Sequence, residues 1–439
     1  MRPRVGVVGM AYGGYNLGEE LGPAKLRQMT GRLAGSPVET VAAKTFVLTE
    51  ADARNAGEEL ARADVDCILA VITTFVPDYF IVELLAKCDK PVYLWAVERE
   101  MQCISIVCGP LITATLFNLG KPCRLAGADI TDAATMDDVL VFARAAMLAR
   151  ALRTLRVGHC GDKCPIMFSM AADEYALTRT FGTTVVNIPM ADFLQRADRV
   201  GAADAAACWS EIKAGVGSVT AADTDGLLSA RYYLAARNMA AELGLHALSL
   251  NCFPHLKSKV CLAVARMNDD GIAAACEGDL NSTILMHLLR GITGGAAFNG
   301  DWLRMYPECG DVLFSHCGAG AFSLAAGPRN VCLRCSIETR DGLAVCYATR
   351  MDGPVTLLNL MAGNGALRLA ALAGKGVATD LQYEGTPLRV HFEEKVRGIL
   401  DGIVRCGAGH HWNGAPGHWI RELALLCEWR GVIFNHIAK

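Results

Sequence analysis

The sequence predicts an α/β chain: two parallel-sheet domains followed by a C-terminal antiparallel, barrel-like β-rich domain. Three observations carry that expectation. Apolar strand runs alternate with helical periodicity through the first 150 residues or so. The alternation starts again at Arg156. Beyond Asp301 it gives way to short strands separated by turn signals.

Arg4–Met10 is a buried-strand run. Ala11–Leu21 is a glycine-rich turn that enters a helix. Its spacing is not G-x-G-x-x-G, and no ribose-binding acid stands at the required place, so a tight βα loop is preferred to a dinucleotide site. Helix 50–63, strand 67–72, helix 79–87 and strand 91–96 follow at the pitch of a doubly wound sheet. Residues 103–120 carry no charge. Gly109-Pro110 and the marginal length favour a buried helix or strand–helix unit over a membrane span. A long amphipathic helix, 137–155, leads to the second unit. Strands are expected there at 156–160, 184–188, 247–250 and 260–265. His159, Cys160 and Cys164 lack a second pair at finger-like spacing, so structural zinc is set aside. His246 and His255 read as ordinary core or surface histidines.

Residues 275–302 organise the chain's chemistry. Ile272–Cys276 is a short apolar run that meets Glu277. Gly278-Asp279 breaks it, and Asp279, Asn281 or Ser282 can cap the next helix; for Asp279 a cap is the expected role. Leu285, Leu288, Leu289 and Ile292 mark one buried helical face. Thr293-Gly294-Gly295 stops the helix, and 296–301 leads to Asp301. Both acids are placed at strand ends, where α/β proteins keep their sites. Later strands are expected at 312–316, 331–337, 343–350 and 355–360, then a helix at 419–428 and a last strand at 432–436. His316 ends the first of these strands. His410-His411 falls in a glycine-rich loop. The domains so read are 1–152, 153–298 with Glu277, and 299–439 with Asp301, His316 and His411.

At 439 residues each domain has ample core, and 52% hydrophobic with 20% charged residues is the balance of a well-packed enzyme. The net charge of −3 argues against nucleic acid. The 18 cysteines show no disulfide spacing and read as a reduced, cytoplasmic set. No secretory pattern follows Met1, and no membrane partner is expected. Glu277, Asp301 and the histidines form a hard oxygen and nitrogen set that suits manganese, iron, cobalt or magnesium. None of the cysteines is expected to share that arrangement.

The segment ACEGDLNSTILMHLLRGITGGAAFNGD resembles the active-site segment of L-fucose isomerases, with its two acids 24 residues apart. HHWNGAPGHWIRELALLCEWRGVIFNHI resembles that family's last metal-ligand motif. VLFSHCGAGAFSLA resembles the strand that carries an additional histidine ligand in L-arabinose isomerases. The match covers about 275–318 and 407–437. The chain departs from the L-fucose pattern in its shorter length, in His316, and in His410, which replaces an Asn. The resemblance implies two Rossmann-like domains and a β-rich third. It implies a divalent metal, most often Mn2+, held by Glu277, Asp301 and His411, with His316 as a possible fourth ligand. His418, Trp412 and His410 then line the sugar. It also implies a homo-oligomer, hexamer or trimer, with a shared active site, and Tyr12–Gly18 is the loop chosen to reach across. The expected activity is aldose–ketose isomerisation through a cis-enediol, with Glu277 and Asp301 as the acid/base pair. A metal-dependent epimerase or lyase, or a non-catalytic sugar-binding protein, stays open as an alternative.

Overall fold

The structure is a computed structural model that describes residues 2–14, 19–98, 104–363, 365–381 and 384–438. It divides into two compact units, Met1–Arg150 and Ala151–Lys439. Part of the Tyr12–Gly18 loop, residues 15–18, lies outside the described residues.

In the first unit β1 (Arg4–Met10), β2 (Glu39–Ala42), β3 (Cys67–Ile72), β4 (Val92–Val97) and β5 (Cys123–Ala128) form one parallel sheet in the order 2-1-3-4-5. β3 and β4 are buried along their whole length, as central parallel strands covered on both faces must be. The uncharged stretch becomes the helix Ser105–Asn118, which buries Cys108, Ile112 and Leu116. Among the described residues no helix is long and apolar enough to cross a membrane.

The second unit opens with β6 (Arg156–Cys160) and β7 (Thr184–Ile188). β8 (Ser218–Val219) belongs to a small separate sheet. β9 (Ala247–Leu250) and β10 (Ala273–Ala275) complete a four-stranded parallel sheet in the order 10-9-6-7. The strand expected at 260–265 is instead the helix Cys261–Asp269. Leu262 to Ala265 are all buried there, and a short apolar run buried on every side carries no period that separates strand from helix.

The C-terminal part is a closed six-stranded antiparallel barrel. Its strands, in chain order, begin with β11 (Phe298–Tyr306) and β12 (Asp311–Ser315). β13 (Cys332–Arg334) and β14 (Ala344–Cys346) pair with each other outside it, and β13 also pairs with β8. β15 (Gly353–Gly363), β16 (Ala366–Val377), β17 (Leu388–His391) and β18 (His411–Pro416) complete the barrel, and β19 (Ile433–Ala438) adds in parallel to β16. The ring runs 15-18-11-12-17-16 and closes by the β15–β16 hairpin, so no barrel edge is left open. Val312, Phe314, Leu357, Leu372, Val390 and Trp412 fill its core. Each such fully buried side chain contributes about 1.5–3 kcal/mol.

Two placements differ from expectation. Asp301 lies inside β11, as the fourth of its nine residues, and does not end it. His411 opens β18 and is not in a loop.

Candidate active site

The barrel register brings the first two groups together. Asp301 of β11 stands directly opposite His411 of β18, and on its other side opposite Ser315 of β12, next to His316. Directly opposed residues share a face of the sheet. By the same alternation Trp412 turns to the other face, where it is 1% exposed in the barrel core. A bulge follows Asp301 between Trp302 and Arg304, a common way to re-aim a side chain beside a site.

Glu277 arrives from the end of β10. It adopts φ +62° and Gly278 φ +68°, two successive left-handed residues that turn the chain sharply. A non-glycine residue held there is strained, and the surrounding structure must hold it. The Glu277 carbonyl accepts the Cys164 amide at 2.9 Å. Asp279 then caps the helix Leu280–Thr293 through Oδ1, which accepts the Ser282 amide at 2.8 Å. Gly294 ends that helix in the left-handed conformation.

His411 is the hub. Its Nδ1 lies 2.7 Å from Asp279 Oδ2, and its Nε2 lies 3.5 Å from Glu277 Oε2 and 3.7 Å from Asp301 Oδ1. One ligating atom each from Glu277, His410 and His411 falls within 4.8 Å of the others, and so does one each from Asp301, His316 and His411. Glu277 Oε2 and His411 Nε2 are both buried without a hydrogen-bond partner. Two orphaned donor-set atoms facing each other fit a cation between them, because burying such groups unsatisfied is costly. Carboxylate and imidazole atoms are also the set that divalent manganese, magnesium, iron or cobalt accept.

The charges follow the same geometry. Burial pushes the Glu277 carboxyl up, against the pull of His316 and His411. Burial would also raise Asp279, but the hydrogen bonds from His411 and Ser282 outweigh it and hold the carboxyl below its ordinary value. Burial would lower His411, and the Asp279 carboxylate reverses the sign and raises it. Burial and the charge of His411 together lower His410.

Family models yield no match to the chain. Curated relatives do match it over most of its length. The protein named sulfoquinovose isomerase from Priestia aryabhattai is 23% identical over 358 residues, 79% of this chain and 80% of the relative. One of the same name from Alkalicoccus urumqiensis is 22% identical over 384 residues, 84% and 85% of the two chains. A third, from Clostridium sp. (strain MSTE9), is 25% identical over 306 residues, 67% of each. The chain is similar to sulfoquinovose isomerases. That similarity supports a sugar isomerase, and the clustered carboxylate and histidine groups are its candidate metal ligands.

Of the residues singled out in the sequence, Glu277, Asp301, His316, His410 and His411 converge. His418 does not join them. It is exposed and lies two residues beyond the far end of β18, about 20 Å of strand from His411. Trp412 is taken up by the core. Neither group contains a cysteine, although the sulfurs of Cys276 and Cys317 approach His316 to 3.6 and 3.2 Å. Sequence reasoning missed two partners. Asp279 is more than a cap, because its second oxygen holds His411. Asn413 bridges Asn299 and Ser282, at 3.0 Å from each, and ties the barrel to the capped helix. The Glu-x-Asp spacing carries the signal for Asp279, but only the fold brings His411 to it.

Proposed function

We propose that the protein is a metal-dependent aldose–ketose isomerase, with sulfoquinovose as the first substrate to test. The observation that carries the reading is the convergence of two carboxylates on the orphaned Nε2 of His411. Names carried by relatives along most of the chain support the substrate class.

Glu277, Asp301 and His411 would hold the ion, most readily Mn2+. When bound, it supplies positive charge that polarises the sugar carbonyl and lowers the pKa of the neighbouring hydroxyl and C–H. Of the two acids, one removes the C2 proton and returns it to C1 through a cis-enediol. The other carries the hydroxyl proton between O1 and O2. Burial, which raises the Glu277 carboxyl, makes it a stronger base than a solvated glutamate. His410 stands exposed beside His411, with ring centroids 4.2 Å apart, and is placed to meet the sugar. Assembly into a homo-oligomer with a shared pocket belongs to the same proposal.

An aldose screen with added Mn2+, read by NMR, tests it. The set should include sulfoquinovose, L-fucose and L-arabinose. A ketose should accumulate to equilibrium from one of them. No conversion of any aldose by metal-loaded protein would overturn the reading.

A further inference from the structure

Two turns lock together beside Glu277. β6 leads into Gly161 at φ +82° and Asp162 at φ +61°, and β10 leads into Glu277 at +62° and Gly278 at +68°. Each turn is two successive left-handed residues, and each holds a non-glycine residue under strain, a feature that collects at functional sites. The turns meet backbone to backbone. The Cys164 amide donates to the Glu277 carbonyl at 2.9 Å, and the Asp162 carbonyl oxygen and Lys163 Cα fill the space that a Cβ on Gly278 would need. Asn251 holds the other side, where its Nδ2 donates to the carbonyls of Gly161 and Lys163 at 2.9 and 3.2 Å. The loop after β6 is thereby fixed over the carboxyl end of the parallel sheet, where such sheets receive their ligands.

Lys163 is the charged residue that this lock positions. Asp162 Oδ1 accepts its backbone amide at 2.7 Å, but among the described residues its ammonium has neither a hydrogen bond nor an ion pair. Its charge acts on the Cys164 thiol, and so does that of the Glu277 carboxylate. Lys257 is another ammonium close to thiols at the site, those of Cys317 and Cys252, and it is tied to Glu338 at 2.7 Å. Lys163 is half-buried, and a partly desolvated ammonium with three donors and no counter-ion favours an anionic ligand. A lysine side chain is about as long as the carbon chain between the reacting end of a hexose and its C6. A sugar that reacts beside Glu277 can therefore place a charged C6 substituent against Lys163.

We infer that Lys163 is the cation that receives the anionic group at the far end of the sugar, the C6 sulfonate of sulfoquinovose, and so sets the preference for a sulfonated aldose. This rests on the isomerase reading. The sulfonate takes no part in proton transfer, so its contact with Lys163 is the same in the ground and transition states. Such a contact acts on KM and leaves kcat largely alone.

Kinetics of the Mn2+-loaded wild type, Lys163→Met and Lys163→Arg on sulfoquinovose test this. Lys163→Met should raise KM about 10–100-fold, the usual worth of a charge-assisted hydrogen bond, with a much smaller change in kcat. Lys163→Arg, which keeps the charge, should recover most of the loss. Added NaCl should raise KM of the wild type and have far less effect on Lys163→Met. Mn2+ affinity, read by EPR, should stay within about twofold of wild type in both variants, because the backbone and not the ammonium holds Glu277. A wild-type KM in Lys163→Met overturns the inference. So does a loss of Mn2+ affinity that matches the loss of turnover, since Lys163 would then support the Glu277 turn and not the sugar. A wild type that isomerises a neutral aldose but neither turns over nor binds sulfoquinovose overturns it as well, while the isomerase reading stands. A wild type that converts no sugar sinks the isomerase reading. Calorimetric titration with sulfoquinovose then decides for Lys163: weaker binding by Lys163→Met supports the assignment, and equal binding or none by the wild type overturns it.

Discussion

Asp279 reaches across 132 positions of sequence to hold His411, with Oδ2 2.7 Å from Nδ1, while its other oxygen caps the helix at Leu280. One carboxylate thus links a helix N-terminus to a candidate metal ligand. Both jobs favour its ionised form. The two can be separated. Asparagine caps a helix nearly as well as aspartate but lacks the charge that fixes the imidazole. Asp279→Asn should therefore keep most of the stability and lose Mn2+ affinity by about 10–100-fold. Asp279→Ala should lose the same affinity and in addition about 1 kcal/mol of cap. EPR titration with urea denaturation on both variants checks this. Full Mn2+ affinity in Asp279→Asn would reduce Asp279 to a cap.

Gly278 is expected to be intolerant of any side chain. A Cβ there would stand 2.0 Å from the Asp162 carbonyl oxygen and 2.8 Å from Lys163 Cα, at φ +68°. Backbone atoms cannot rotate away. Gly294 gives the control, since it has φ +78° but open space around a Cβ. Gly294→Ala should cost about 1–2 kcal/mol from conformation alone. Gly278→Ala should cost clearly more, and it should displace Glu277 and weaken Mn2+ binding. Equal costs by urea denaturation would mean that the turn yields.

Much of this was legible in the sequence, and the failures are physical. Strands β1, β3 and β9 fall where their apolar runs place them, because a parallel strand buried on both faces announces itself. The β-rich texture was recognisable from Arg340-Asp341-Gly342 and Asp352-Gly353-Pro354 between short strands, but which strands close the barrel was not, since the first of these turns lies between β13 and β14, outside it. The run at 260–265 was not, since periodicity vanishes when all faces are buried. Asp301 and His411 were legible as residue types, but not as neighbours. Their opposition depends on a register set by strand pairing between residues 110 positions apart. Trp412 shows the cost of that missing register. Next to a ligand in sequence it invites a sugar contact, yet a period of two turns it into the core. The thiols at His316 were equally invisible, because Cys276 comes from the parallel sheet and Cys317 from the barrel.

His287 should set part of the acid limb of stability. It sits on the Leu280–Thr293 helix, and burial, aided by His246 and Arg290, lowers its pKa from 6.5 to about 4. Its Nδ1 is buried without a partner. The folded state therefore holds the neutral ring at a pH where the unfolded chain takes up a proton. Stability from this group is complete above pH 6.5, falls as pH drops from 6.5 to about 4, and is flat below that. The whole effect is on the order of 3 kcal/mol at 1.36 kcal/mol per unit. His287→Gln should flatten the fall between pH 7.5 and 4.5 relative to wild type. Parallel curves from urea unfolding at both pH values would remove His287 from the account.

The proton-transfer pair makes the sharpest claim. Glu277 and Asp301 flank one nitrogen, Nε2 of His411, at 3.5 and 3.7 Å, so a sugar that binds at this centre meets both carboxylates. They differ in surroundings: the Glu277 side chain is 10% exposed and that of Asp301 40%. A base open to water exchanges the proton it has taken before returning it. An enclosed one returns part of it. Aldose deuterated at C2 and turned over in H2O should therefore give ketose with solvent hydrogen at C1 in a substantial fraction, and with deuterium in the rest. The fraction retained reads the exposure of the base. High retention points to Glu277, and near-complete washout points to Asp301. Glu277→Gln and Asp301→Asn should each lower kcat by about 10²–10⁴-fold, the usual worth of a general base, or more where the ion is lost as well. Complete retention over many turnovers, with no deuterium entering from D2O in the reverse direction, would mean that hydrogen passes directly between the carbons as hydride, and neither carboxylate would then be the base that acts on carbon.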